Sequence, residues 1–139
     1  MKLTAQWIVG FVEGKGCFYI GLKKKKDLIQ KYQVLPEFYV LQHKRDIKLL
    51  YALKDFFGCG ILRNNKGRNS DMLTYSVRAQ KDLLETIIPF FEKHELKSVK
   101  AINFKKFRKV LLMIEKSDHL TVEGIEKIQE IKNVMYNNV

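Results

Sequence analysis

Lys23-Lys24-Lys25-Lys26 places four cationic side chains in a row, with Lys31 close behind, and Arg63, Lys66, Arg68 and Arg78 form a second, looser basic group. Ammonium and guanidinium groups at this density suit phosphate, and each phosphate neutralised adds about −0.9 to the slope of log K against log salt. Lys23, Lys25 and Lys31 are candidates for backbone contacts with a polyanion; a solvated turn is the other reading of the run. Arginine adds geometry to charge. An outward Arg78 on a strand can reach guanine bidentately, and Arg63, Lys66 and Arg68 are expected to contact the same ligand. The whole chain agrees with this chemistry: 139 residues carry 26 Lys+Arg against 15 Asp+Glu, a formal +11. A field of that sign draws polyanions, nucleic acid being the commonest and an anionic membrane surface the rival.

Other chemistries are poorly served. Cys17 and Cys59 have no C-x-x-C companion, and His43, His94 and His119 are scattered, whereas zinc wants four ligands in paired spacing. The thiols are expected to be free, in a reducing, intracellular setting. The longest apolar run, Trp7 to Val12, is far short of the roughly 20 residues of a spanning helix. The first residues lack the build of a signal peptide, so no membrane role is expected.

These groups need a scaffold, and 46% apolar residues with 12% aromatics can bury one core for a single domain over residues 1–139. Thr4 can cap a helix through Trp7-Ile8-Val9-Gly10-Phe11-Val12, apolar all round and so expected to be buried on every side. Gly10 and Gly14 share one face of it. A glycine costs a helix about 1 kcal/mol, which a close helix–helix approach would justify; Gly16 then ends the helix. From Cys17 to Lys24, Phe18, Ile20 and Leu22 alternate with Tyr19, Gly21 and Lys23, the pattern of a half-buried strand. A second strand is expected over Tyr32 to His43, with Pro36 at a bulge or an edge. Asp46 can cap a helix with Ile47, Leu50, Leu53 and Phe57 on one face, stopped by Gly58-Cys59-Gly60.

Ile61 to Asn65 and Met72 to Ala79 read as a hairpin. A helix from about Lys81 is interrupted at Pro89. Phe104, Phe107, Leu111 and Ile114 line one closing helix; Thr121 caps the other, lined by Val122, Ile125, Ile128 and Ile131. The order is α+β: an antiparallel sheet with helices on one side. Tyr19, Lys23, Thr74, Ser76 and Arg78 fall on the other side, a face suited to reading bases through hydrogen bonds. An ordinary solvated sheet surface is the alternative.

The stretch Trp7-Ile8-Val9-Gly10-Phe11-Val12-Glu13-Gly14-Lys15-Gly16-Cys17-Phe18 resembles a LAGLIDADG motif of the W-x-x-G-F-x-D-G-E-G-C-F kind. Pro36-Glu37-Phe38, Gln42-His43-Lys44-Arg45-Asp46, Phe56-Phe57-Gly58-Cys59-Gly60, Ile88-Pro89-Phe90-Phe91, Leu96-Lys97 and His119-Leu120-Thr121-Val122-Glu123-Gly124 resemble later blocks of the same homing-endonuclease family, in order. The resemblance implies an αββαββα core whose motif helix packs on a two-fold mate through Trp7, Gly10, Phe11, Glu13 and Gly14. One motif per chain implies a homodimer on a long, near-palindromic DNA site, with each sheet in a major groove. It also implies an organelle-encoded (chloroplast or mitochondrial) or bacterial cytoplasmic protein. At the foot of the helix, an acid at position 15 and the carbonyl of Gly14 would hold Mg²⁺, which activates water. A polar residue matching Gln42 and a lysine matching Lys97, with Lys100 close by, would order water and stabilise charge.

Position 15, however, is lysine. An ammonium has no lone pair to give a cation and repels it. Glu13, two residues back, lies about 200° round the axis and is expected to serve the helix end and the interface instead. Cleavage is therefore expected to be impaired while binding survives, with Lys15 itself on the phosphates. A pure binding protein, such as an RNA-binding cofactor of intron splicing, is the alternative.

Overall fold

The computed structural model describes residues 1–64 and 71–137; Lys66 and Arg68 lie outside them. Thr4 Oγ1 accepts the Trp7 amide at 3.2 Å and opens α1 (Ala5–Lys15), as a hydroxyl ahead of an apolar run should. Only Ile8 and Val12 of this helix are buried. Trp7 is 44% exposed, and Gly10 and Gly14 are open as well, which corrects the expectation of burial on every side. Within the chain, one side of α1 packs and the other does not.

The strands β1 (Gly16–Lys24) and β2 (Tyr32–His43) run antiparallel from Gly16 opposite Val40 to Lys24 opposite Tyr32. That register continues unbroken through Pro36, opposite Ile20, so the proline makes no bulge. It sits on the half of β2 that only β1 flanks, since β4 joins β2 from Phe38 to His43. A missing N–H is tolerated at such a local edge.

A 3₁₀ turn, Lys44–Asp46, leads into α2 (Ile47–Phe57). His43 Nδ1 accepts the Arg45 amide at 3.1 Å and caps that turn. Asp46 makes no side-chain cap bond; its carboxylate accepts from Gln42 instead, a correction to its expected role. Leu50, Leu53 and Phe57 are buried while Ile47 is not, and Gly58, at φ 70°, closes the helix in the left-handed region that glycine enters without strain.

The hairpin strands β3 (Ile61–Asn64) and β4 (Met72–Val77) complete the sheet; among the described residues its order is β1-β2-β4-β3, antiparallel throughout. From Gln80 to Lys93 the chain stays helical: α3 (Gln80–Asp82), a widened π turn (Leu83–Ile87) and α4 (Ile88–Lys93). Pro89 therefore does not break the helix. The wider turn ahead of it takes up the lost donor and ring clash.

Phe104, Phe107, Leu111 and Ile114 of α5 (Val99–Glu115) are buried together. In α6 (Val122–Asn137) Ile125 and Ile128 are buried, Ile131 half-buried, and Val122 exposed. Thr121 Oγ1 accepts the Gly124 amide at 2.9 Å, the expected cap. The centre of the core is aromatic. Phe18 lies 5.3 Å from each of Phe38, Phe104 and Phe107, ring to ring, in the range where tilted rings attract. Because Phe18, Phe38, Tyr75 and Val77 all point to this core, strand alternation turns Tyr19, Glu37, Thr74 and Ser76 to the opposite face.

Candidate active site and nucleic-acid interface

Lys15 is the last residue of α1 and is exposed, with Gly14 exposed beside it. Glu13 points the other way, across to the start of α5. Its carboxylate accepts the Lys97 amide at 2.9 Å, the Ser98 amide at 3.1 Å and the Ser98 hydroxyl at 2.7 Å. Burial pushes this carboxyl up, but the Ser98 hydroxyl, the two amides and the Lys100 charge outweigh it and hold the group below the usual glutamate range. Lys100 completes the joint: its Nζ lies 3.4 Å from the Val12 carbonyl and 3.3 Å from that of Glu13, neutralising the negative end of α1. Both lysines the sequence put forward thus reach the foot of the helix, Lys97 by its backbone and Lys100 by its ammonium. Gln42, near the end of β2 and half-buried, donates Nε2 to Asp46 Oδ2 at 2.9 Å, which fixes the amide so that its carbonyl oxygen is the acceptor on offer.

Mg²⁺ wants an octahedron of oxygens, usually with one or two carboxylates. Here the carboxylate of Glu13 holds α5, that of Asp46 holds Gln42, and position 15 supplies a cation. Among the described residues no three His, Cys, Asp or Glu gather closely enough to hold a metal. The donor set at the foot of α1 does not fit Mg²⁺.

Lys23 lies in β1 opposite Gln33, and Lys25 and Lys31 close the turn that follows. The Lys25 amide donates to the Lys31 carbonyl at 2.8 Å, and Lys31, at φ 69°, sends Nζ to the Lys26 carbonyl at 3.3 Å. On the sheet's outer face, Tyr19 is half-buried with Lys132 Nζ 5.3 Å above its ring, a cation–π pair reaching over from α6. Burial lowers the pKa of that ammonium. Thr74 is half-buried between Leu41 and Arg63. Ser76 lies on this face as expected but is not open to solvent: it is 1% exposed and donates its hydroxyl to Glu37 Oε2. The same oxygen lies 2.9 Å from Arg63 Nη2 and 3.3 Å from Arg78 Nε.

Glu37 is the residue sequence reasoning missed, an acid set amid the basic groups of the face. It lies in the stretch Pro36-Glu37-Phe38, but its partners are 26, 39 and 41 residues further along, beyond any local pattern. An open groove of about 890 Å³ runs past Tyr19, Lys23, Lys25, Glu37 and Arg78. On the far side of α1, a Cβ built on Gly10 or on Gly14 would meet nothing within 4 Å. Beside them, Trp7 stacks on Phe11 with centroids 5.0 Å apart. No helix among the described residues is long and apolar enough to cross a membrane.

Comparison with known proteins gives this arrangement a family. The profile of the LAGLIDADG endonuclease family matches residues 8–111. A probable intron-encoded endonuclease of Neurospora crassa is 33% identical over 127 residues, covering 91% of this chain and 26% of its own. The crystal structure of the homing endonuclease I-TnaI superposes with a TM-score of 0.88 at 44% identity, over 99% of this chain and 97% of that one. The meganuclease I-SmaMI, solved bound to uncleaveable DNA, gives 0.89 at 32% identity over 94% of this chain and 44% of that one. The chain spans about a quarter of the length of the Neurospora relatives it matches. Its fold, the order of its elements and its motif helix agree with the match, and the chain belongs to the LAGLIDADG endonuclease family.

Proposed function

We propose that the chain is a sequence-specific, double-stranded DNA-binding protein of the homing-endonuclease type in which Lys15 impairs phosphodiester cleavage. The observation that carries this reading is a cation at the foot of α1 with the carboxylates of Glu13 and Asp46 engaged by other partners. The formal charge of +11, the basic turn after β1 and the groove along Arg78 support a polyanionic ligand. That ligand is DNA, the molecule to which I-SmaMI is bound in its crystal structures. The open side of α1 supports pairing: Trp7, Gly10, Phe11 and Gly14 offer a strip on which another helix can lie backbone to backbone. Two copies so joined present two sheets, and a near-palindromic site follows from their two-fold axis.

Lys15 then faces the phosphodiester, and its ammonium substitutes one positive charge for part of what a divalent ion would bring. Gln42 keeps a free carbonyl oxygen able to order water, and the carboxylates of Glu13 and Asp46 are taken by other partners. The Lys15→Glu variant and the unaltered chain, each incubated with Mg²⁺ and a library of long duplexes, separate the readings. Cleavage by the variant alone is expected. No cleavage by either, together with tight binding to a structured intron RNA, would replace this reading with a splicing cofactor.

A further inference from the structure

A carboxylate at the centre of a face built for phosphate works against binding unless it does something for its neighbours. Glu37 is in that position. Its side chain is 12% exposed, and Ser76, Arg63 and Arg78 all meet its Oε2. The two arginines meet it differently. Arg63 turns a terminal nitrogen, Nη2, onto the carboxylate, its side chain is 37% exposed, and its Nε is buried without a hydrogen-bond partner. One end of its fork is taken by Glu37, whose charge it balances. Arg78 meets the carboxylate through Nε, and its side chain is 56% exposed. The end that bears the two terminal nitrogens is therefore not the part that grips Glu37.

Bidentate recognition of guanine O6 and N7 uses two N–H groups of one planar guanidinium held at the right tilt. A free arginine side chain loses rotamer entropy when fixed. An ion pair at Nε, 3.3 Å from the carboxylate, restricts the side chain and removes part of that loss before the ligand arrives. The geometry points to Glu37 as a specificity-determining positioning residue that holds Arg78 to read one guanine, with Arg63 as its counter-charge. This rests on the DNA-binding reading above. It divides the basic groups of the face into one reader and one neutraliser, although both arginines look alike in sequence.

The test is selection from randomised duplexes by the whole chain, in chelator so that no cutting intervenes, followed by affinity measurements on single base-pair changes. The unaltered protein, Glu37→Gln, Arg78→Ala and Arg63→Ala are compared after melting curves establish that each is folded. Glu37→Gln keeps the shape of the side chain and an oxygen for Ser76. Preference for one G·C pair is expected to fall on the order of tenfold in both Arg78→Ala and Glu37→Gln, at the same position, with the other positions unchanged. In Arg63→Ala the preference for that pair persists while overall affinity drops. The inference is overturned if Glu37→Gln leaves the preference profile intact or weakens a different pair, or if Arg63→Ala weakens that pair as Arg78→Ala does. Should Glu37→Gln not fold, Ser76→Ala withdraws one anchor of the carboxylate and must weaken the same pair, or the inference falls. A protein that selects no sequence at all overturns the DNA-binding reading itself, a different result from a sequence-selective protein indifferent to Glu37.

Discussion

Glu13 and Lys15 stand two residues apart and do opposite work. The first is drawn across the fold to the start of α5, where it takes two amides and a hydroxyl; the second is left at the open foot of α1. Replacing Glu13 by Gln removes the charge while keeping the shape, and loss of a cap of this kind costs about 1 kcal/mol. Thermal melting at neutral pH is the check, with a lower melting temperature expected. The pH dependence has a definite sign. Because the folded-state pKa lies below the ordinary glutamate value, its contribution is present above that value. It fades as pH falls through the usual carboxylate range toward the lowered folded pKa. Below that range the variant and the unaltered protein should converge; a gap that widens toward acid would refute the assignment. The position of Lys15 at the end of α1 was readable, since a helix end and a cation are both local features. For Glu13, a share in the helix end was readable but not its partners, which lie 84 and 85 residues away.

The motif helix makes the next step. Its open side holds Gly10 and Gly14, where an added side chain would touch nothing within the chain. A glycine pair in a helix costs about 2 kcal/mol against alanine, so the chain loses stability for a surface it does not itself use. If that surface takes a second α1, Gly10→Leu should leave the monomer folded and abolish association. Sedimentation or light scattering would show half the mass of the unaltered protein. An unchanged mass would place the pairing elsewhere. Elements of this kind were legible to different degrees. The bounds of β2 and the buried faces of α2 and α5 follow from apolar periodicity. The continuous path through Pro89 did not, because a π turn is chosen by the packing of Leu83, Ile87 and Ile88 against the core rather than by local propensity. The partners of Asp46 and Ser76 were not readable either. Ser76 answers to Glu37, which only the folded sheet brings near, while Asp46 turns back to Gln42, four residues earlier.

Taken as one body, the molecule separates an apolar layer, with Phe18 at its centre, from a face carrying charge. The fold was readable because alternation in the strands assigns each residue a side. What the face does with its charge was only half readable. The excess of 26 Lys+Arg over 15 Asp+Glu announces a polyanion, but the engagement of two arginines by one acid appears only in three dimensions. The same separation bears on metal. In the proposed function, an acid at the foot of α1 would gather a divalent cation there, and Lys15 supplies a positive charge in its place. The affinity of the unaltered chain for its selected duplex, measured at constant ionic strength with Mg²⁺ and again with chelator, is the most direct check. Equal affinities within a factor of about two are predicted, with intact duplex recovered from both. A chelator that abolishes specific binding, or efficient double-strand cutting when Mg²⁺ is present, would contradict the account.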